Sequence, residues 1–359
     1  MMITELNKNV FILIPSLNPD KNLINYIKEL NDNGFNHIIL VNDGSSKQYD
    51  EIYDSIIDRY KCVYIKHEIN KGKGSSLKDG FKYYMDLSDK DNFIGVITVD
   101  SDGQHLVKDV IKIYESLKNN NNKLILGVRD FTKDNIPKKS SFGNNLTSKI
   151  FKLLYGRKVS DTQTGLRGIS NKLIDQMIYL PGNRYEYETT MLIDCISKKI
   201  DFEEVSITTI YVDNNSGTHF RPIVDSLKIY WSIFNIFLKY SFVSIVSFLI
   251  DLILFKVLFN IFIEVLNSNI VILISTVVAR ICSSLANYIL NKKISFKSGK
   301  GIKNTIFKYY ALVIVQMFVS ATLVTIFYRL IGSGEVLIKI IVDTIIFIVN
   351  YKVQKKYIF

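Results

Sequence analysis

Residues Phe93 to His105 form an apolar run that stops on two carboxylates, Asp100 and Asp102, spaced i, i+2. The run suits a strand buried in a parallel sheet. At the C-terminal end of such a strand the chain leaves the sheet, and open α/β sheets bind ligands in that crevice. Two hard oxygen donors, followed by Gly103 to permit a sharp turn, suit a divalent cation that already carries phosphate oxygens. An isolated Asp-x-Asp is more often an ordinary surface turn, so the reading depends on what surrounds it.

What surrounds it is an alternation of strands and helices. Val10–Ile14 reads as a first strand stopped by Pro15, and Asp20–Asn33 as a helix with Leu23, Ile27 and Leu30 on one face, ended by Gly34. His37–Val41 is a second strand running into Asn42-Asp43-Gly44-Ser45-Ser46, Gln48–Tyr60 a helix, and Val63–Ile65 a short strand. Asn70-Lys71-Gly72-Lys73-Gly74 then opens a helix, Ser75–Asp86. The fold class expected is α/β, a mostly parallel, Rossmann-like sheet with helices on both faces. The polar strand tips converge on one crevice. There Asp43 is either an acceptor for a nucleotide base or ribose or an Asx-turn residue. Gly72-Lys73-Gly74 is either a plain glycine loop or a site bringing N–H groups and one ammonium to a diphosphate. The spacing is not that of a Walker A loop, and no Gly-x-Gly-x-x-Gly follows the first strand, which argues against a dinucleotide enzyme.

The ordered set Ile14-Pro15-Ser16-Leu17-Asn18, Val41-Asn42-Asp43-Gly44-Ser45, Asn70-Lys71-Gly72-Lys73-Gly74 and Val99-Asp100-Ser101-Asp102-Gly103-Gln104-His105 resembles family 2 glycosyltransferases of the GT-A fold. More narrowly it is similar to the polyprenyl-phosphate sugar synthases, such as dolichyl-phosphate mannose synthases. Asp161-Thr162-Gln163-Thr164-Gly165-Leu166-Arg167-Gly168 and Glu186-Tyr187-Glu188 match that branch too, and the resemblance spans residues 10 to 230. It implies inverting transfer of a hexose from UDP-glucose or GDP-mannose to a polyprenyl phosphate, undecaprenyl or dolichyl.

The resemblance also implies residue roles. Asp102 is the principal ligand of Mg²⁺ or Mn²⁺, with Asp100 and Gln104 completing or supporting the site, and the cation neutralises charge on the leaving diphosphate. An all-oxygen set suits these ions, and no Cys/His cluster supports zinc. His105 is either a ligand or a structural residue. The nucleotide sugar is expected on Pro15, Leu17, Asn18, Asp20, Asp43, Gly72, Lys73, Asp100, Ser101, Gln163 and Arg167. His219 and Arg221 join them, standing in Ser216-Gly217-Thr218-His219-Phe220-Arg221 where relatives carry a lysine. A polyprenyl phosphate is already an anionic nucleophile, so no general base is needed; cationic groups must orient it instead. Arg129 matches a family arginine with that role. Lys138, Lys139 and Ser140 follow where relatives carry arginines, and lysine keeps the charge without the bidentate geometry. Glu186 and Glu188 are either site residues or carboxylate partners for an arginine.

Across 359 residues the chain carries a net charge of +11, and its length allows two domains, 1–232 and 233–359. Beyond residue 230 apolar runs dominate and charge is confined to short clusters, with lysines flanking the hydrophobic spans. That pattern fits an anionic membrane surface rather than nucleic acid. Cys62, Cys195 and Cys282 lie too far apart to suggest a zinc site or a disulfide framework, so a reducing cytoplasmic setting is expected for the first domain. Met1–Asn9 lacks the apolar core of a cleavable signal.

Four apolar segments, Tyr240–Phe262, Asn269–Leu290, Phe307–Leu330 and Val336–Tyr351, are expected to cross a bilayer. Two decapeptides, Asn287–Phe296 and Asn350–Phe359, share Asn-Tyr, Lys-Lys and a final Phe at identical offsets, and Lys239-Tyr240 matches Lys308-Tyr309. The pattern is a duplicated helical hairpin. Lys292, Lys293, Lys297, Lys300, Lys303, Lys308, Lys355 and Lys356 put the shared face and both termini in the cytoplasm, in a multi-pass cytoplasmic-membrane protein. This half resembles the GtrA-like four-helix module. Intramembrane Asp251, Arg280 and Asp343 carry a cost; Arg280 and Asp343 fall at matching repeat positions, which permits an ion pair between hairpins, with lipid-phosphate or transport contacts as the alternatives. Oligomeric state is left open. The competing readings are a transferase using a hydroxyl acceptor, which needs a base not evident near Asp102, and a lipid-linked-sugar flippase or scaffold with a degenerate GT-A domain. Processive synthases carry a Gln-x-x-Arg-Trp motif that is missing here, the single tryptophan being Trp231.

Overall fold

The computed structural model describes residues 7–130, 138–208 and 221–359, with the backbone alone at 138–140, 222, 268–269 and 335–336. The chain divides into two compact units, Met1–Ile233 and Phe234–Phe359.

The first unit is built on seven strands: β1 (Phe11–Ser16), β2 (His37–Asn42), β3 (Val63–Lys66), β4 (Gly95–Thr98), β5 (Leu124–Arg129), β6 (Arg167–Ser170) and β7 (Phe202–Ile207). Their order is β3-β2-β1-β4-β6-β5-β7, and only β6 runs antiparallel to its neighbours. Apolar side chains alternate between the two faces of β1, as the pleat requires. Ile12 and Ile14 join a core with Leu23, Ile27 and Leu30 of α1 (Asn22–Asp32), Tyr53 and Ile56 of α2 (Asp50–Tyr60), and Val110 and Ile113 of α4 (Val107–Asn119). The opposite face carries α3 (Lys73–Asp86), α6 (Asn171–Ile178) and α7 (Glu186–Ser197), while α5 (Lys138–Tyr155) precedes β6.

Pro15 does not stop β1; it pairs with Val41 inside the strand. The ladder explains why. The carbonyl of Leu13 faces β4, accepting the Val99 N–H at 3.1 Å, and β4 pairing ends at Leu13. Two residues on, Pro15 faces the same side, where the ladder no longer asks for an N–H.

The second unit holds most of α8 (Pro222–Phe262), then α9 (Ser268–Leu290), α10 (Ile302–Ile331) and α11 (Glu335–Val353). Among the described residues three helical stretches, Ile223–Phe262, Ile270–Ser295 and Ile302–Ile331, are long and apolar enough to span a membrane. The fourth expected span is not among them: α11 has 19 residues and carries Lys339, Asp343 and Lys352.

The sequence repeat is a structural repeat. Each decapeptide contains a π-helical turn at the same place, Asn291–Ser295 and Gln354–Ile358. Tyr240 packs on Tyr351 with ring centroids 5.4 Å apart, and its counterpart Tyr309 packs on Tyr288 at 5.5 Å. The closing residues Phe296 and Phe359 stack on one another at 5.2 Å. Polar contacts repeat as well. Asn287 donates to Ser247 Oγ at 3.1 Å, and Asn350, in the matching place, donates to Gln316 Oε1 at 2.5 Å.

The expected Arg280–Asp343 ion pair is not formed. Both residues lie on the second helix of their hairpin and meet the first helix of the same hairpin. Arg280 pairs with Asp251 at 3.4 Å, and Asp343 accepts from Ser320 Oγ at 2.6 Å and pairs with Lys339 at 2.8 Å. Asp251 and Ser320 are themselves at matching positions.

Candidate active site

The C-terminal ends of β1, β2, β3 and β4 carry the polar tips, and hydrogen bonds zip them together. The Asn18 N–H donates to Ser45 Oγ at 2.8 Å and the Ser46 N–H to Asn18 Oδ1 at 3.0 Å, joining the β1 and β2 tips. Asn18 sits at φ 47°, a region Asn tolerates better than most residues. Pro15 is buried in the sheet and Leu17 half-buried beside it. Asp20 accepts the Asn22 N–H at 2.8 Å at the start of α1, a capping role. The Asx-type turn after β2 belongs to Asn42, whose Oδ1 accepts the Ser45 N–H at 2.8 Å. Asp43, expected on the base or ribose, is 4% exposed and turned to the protein. Its Oδ1 accepts the Lys71 N–H at 2.9 Å and its Oδ2 the Gly72 N–H at 2.8 Å.

The loop that Asp43 holds leads directly into Lys73, the first residue of α3, and Lys73 is the centre of the site. Its Nζ lies 2.6 Å from Asp100 Oδ1 and 2.8 Å from Glu188 Oε1 on α7. The other oxygen of Asp100 lies 3.2 Å from His105 Nε2. Burial alone would raise the Asp100 pKa, but Lys73 and His105 outweigh it and hold that carboxyl far below the usual carboxylate range. Burial likewise works against the charge on Lys73, and its two carboxylates prevail, raising it. Asp102 behaves oppositely: burial first, then the Asp100 charge, push it up, against the Gln104 N–H that its Oδ1 accepts at 3.1 Å. Ser101 is half-buried between the two acids. Gly165 forms the floor, since a Cβ there would stand 2.4 Å from Asp100 Oδ2.

Among the described residues no three His, Cys, Asp or Glu side chains converge as a complete metal cage. The donor chemistry nevertheless fits Mg²⁺ or Mn²⁺. Asp102 is a half-buried carboxylate under repulsion from its neighbour, the Gln104 side chain adds an oxygen, and these ions take one or two protein carboxylates and complete their shell with phosphate and water.

Arg129 ends β5 and grips Asp161 with two guanidinium contacts, Nε to Oδ2 at 2.6 Å and an Nη to Oδ1 at 3.1 Å. Asn144 of α5 fixes the same segment by donating to the Ser160 carbonyl at 2.7 Å, and it leaves Gln163 exposed. Arg167 departs from expectation. It lies in β6 between β4 and β5, is 1% exposed, and donates to the Thr164 carbonyl at 2.9 Å and the Glu188 carbonyl at 2.7 Å. It braces α7 from inside the sheet. Glu186 is a helix-start residue, accepting the Asn183 N–H at 3.0 Å. Arg221 is held by Asp225, one turn into α8, at 3.1 Å. Lys138, Lys139 and Ser140 open α5, and His219 lies outside the described residues. Glu188 and Asp161 received no definite role from the sequence, because nothing in one chain's spelling links Lys73 to Glu188 or Arg129 to Asp161.

The profile for "Glycosyl transferase family 2" matches residues 11–178, and that for "GtrA/DPMS, transmembrane domain" matches 234–359. An uncharacterized protein of Methanocaldococcus jannaschii is 31% identical, the alignment covering 59% of this chain and 86% of the relative. The chain belongs to glycosyl transferase family 2. A second relative within the family, 30% identical over 58% of this chain and 88% of its own length, is a UDP-N-acetylglucosamine–dolichyl-phosphate N-acetylglucosaminyltransferase of Methanococcus voltae. Among solved structures, glucosyl-3-phosphoglycerate synthase of Mycobacterium tuberculosis is similar at 15% identity and TM-score 0.46, covering 66% of this chain and 84% of its own. The family 2 match covers β1 to β6 of the mostly parallel sheet with its acidic turn after β4, the α/β architecture of a GT-A domain, and a transmembrane domain of the GtrA/DPMS type follows it.

Proposed function

We propose that this family 2 member transfers one sugar from a nucleotide diphosphate sugar to a polyprenyl phosphate on the cytoplasmic side of the membrane, with inversion. The observation that carries the reading is the Lys73–Asp100–Asp102 arrangement at the ends of parallel strands, in a chain that also has a GtrA/DPMS transmembrane domain. A chain built this way has a membrane-dissolved acceptor at hand. The relative named for UDP-N-acetylglucosamine and dolichyl phosphate supports a lipid phosphate acceptor and adds a UDP-linked amino sugar to UDP-glucose and GDP-mannose as donors.

Asp102 and Gln104, with Asp100 behind them, would hold Mg²⁺ or Mn²⁺, which supplies neutralisation of the charge growing on the diphosphate. The residues of the chain do the rest. The Lys73 ammonium sits where a diphosphate oxygen would compete for it with Asp100. Asp43 fixes the amides that precede Lys73, and Gln163 and Arg221 are exposed enough to reach the donor; by the family pattern His219 is assigned to the same task. Arg129, oriented by Asp161, and the helix start at Lys138, Lys139 and Ser140 attract the acceptor phosphate. That phosphate attacks without a general base, and bond cleavage gives a nucleoside diphosphate.

The test uses full-length protein in nanodiscs with radiolabelled UDP-N-acetylglucosamine, UDP-glucose or GDP-mannose, undecaprenyl or dolichyl phosphate, and Mg²⁺ or Mn²⁺. One donor is expected to put label into the chloroform-soluble fraction only when the lipid phosphate is present. No lipid label from any donor contradicts the proposal.

A further inference from the structure

Asp43, which closes the loop before Lys73, is itself held by a residue that the transfer scheme does not use. His67 follows β3 and is 4% exposed. Its Nδ1 lies 2.8 Å from Asp43 Oδ1, and its Nε2 lies 3.1 Å from Asp79 Oδ2, within α3. Its backbone N–H donates to the Asn42 carbonyl at 2.9 Å, so the ring cannot drift along the strand. A continuous chain of contacts therefore runs from the body of α3, through Asp79, His67 and Asp43, to the Lys71 and Gly72 amides and back to the first residue of α3.

The loop needs such a tether. Residues 68 to 71 are all exposed, Ile69 at 71%, so apolar burial holds them weakly. The loop also crosses the β2 tip at very close range: a Cβ on Gly44, at φ +75°, would stand 2.4 Å from the Ile69 carbonyl carbon. That crossing limits how far the loop can collapse, and the two Asp43 hydrogen bonds limit how far it can lift. A rigid ring spanning two carboxylates fixes the direction of Asp43 in a way that an apolar side chain of equal volume would not. Burying such polar groups is also not the cheapest way to gain stability, so geometry is the better reason for them.

We infer that His67 is a positioning residue for the nucleotide sugar: by bracing Asp43 against α3 it sets where the Lys71 and Gly72 amides and the Lys73 ammonium meet the diphosphate. The inference rests on the donor reading above. His67 itself touches no substrate atom, and its effect passes through Asp43.

The experiment compares wild type, His67→Gln, His67→Ala and Asp79→Asn as full-length protein in nanodiscs. Donor KM, acceptor KM and kcat are measured together with hydrogen exchange at the Lys71 and Gly72 amides. Gln keeps one hydrogen-bonding arm toward Asp43 but cannot span both acids; Ala keeps neither. Donor KM is expected to rise in the order wild type, Gln, Ala, reaching about tenfold at Ala, the size expected for losing one hydrogen bond to a charged group. Acceptor KM should stay within about twofold, and exchange at the two amides should quicken in the same order. Asp79→Asn changes a partly exposed side chain and should raise donor KM by about threefold, which keeps the test open if the His67 variants do not fold. Donor KM unchanged in folded variants, or donor and acceptor KM rising equally, overturns the inference. Wild-type protein that labels no lipid sinks the transfer reading instead, and unchanged amide protection in the variants then overturns the brace by itself.

Discussion

The two units handle polar groups in opposite ways. In the first, charges from distant parts of the chain gather at one end of the sheet: Lys73 meets Asp100 and Glu188, and Arg129 meets Asp161. In the second, several polar pairs come in duplicate: Asn287 with Ser247 and Asn350 with Gln316 inside each hairpin, beside hydroxyl contacts such as Tyr309 with Asn287 and Tyr240 with Gln354 that join the two hairpins. Water at the edge of a sheet screens and rearranges charges, so an asymmetric cluster can be maintained for binding. Hydrocarbon offers no such relief, so each polar group takes a partner on a neighbouring helix. The comparison teaches that asymmetry marks the site and symmetry marks the scaffold.

Substitutions can break that comparison. The largest effect is expected at Asp102. Asp102→Ala should lower lipid labelling by about a thousandfold, the scale of losing a main electrostatic contribution, while the thermal transition of the purified protein holds. Loss of folding instead would make Asp102 structural.

Next comes Lys73→Met, which leaves the buried Glu188 without its cation and Asp100 with His105 alone. Removing one partner from a buried cluster costs about 3 kcal/mol, so the denaturation midpoint should fall, and Glu188→Gln in the same chain should recover part of it. A midpoint equal to wild type would mean that the cluster is solvated. Smaller still, Arg129→Ala should raise acceptor KM by about tenfold, with donor KM held. A rise in donor KM alone would move Arg129 to the other substrate.

The least effect, and the sharpest test of symmetry, lies in the second unit. Asn350→Ala should destabilise by about 0.6 kcal/mol, the average for interhelical hydrogen bonds in membranes, and Asn287→Ala by more, since its Oδ1 also accepts from the Tyr309 hydroxyl at 3.0 Å and from Asn291 at 2.8 Å. Equal losses in thermal unfolding would show that these added contacts at Asn287 contribute nothing.

Much of this was legible in the sequence. Strand-then-polar-tip units gave the mostly parallel sheet, and the order of motifs gave the acidic turn and its loop. The matched Asn-Tyr and Lys-Lys positions gave the duplicated hairpin. What the sequence concealed was pairing. The resemblance puts Arg167 on the nucleotide sugar, but the antiparallel β6 carries it inside the sheet, and strand direction is not written locally. Arg280 and Asp343 match in register, which invites pairing them; the hairpin geometry sends each to its own first helix. Asp43 looked outward because it sits in a turn, and only the approach of the 71–72 amides shows that it faces in.

The central claim is that the acidic turn binds the donor diphosphate through a divalent cation. Calorimetric titration of the full-length protein with UDP and GDP, each with and without Mn²⁺, tests it most directly. Mn²⁺ should tighten binding of one nucleotide by about tenfold or more in the wild type and leave Asp102→Asn unmoved. Equal affinity with and without Mn²⁺ in the wild type, for both nucleotides, would contradict it.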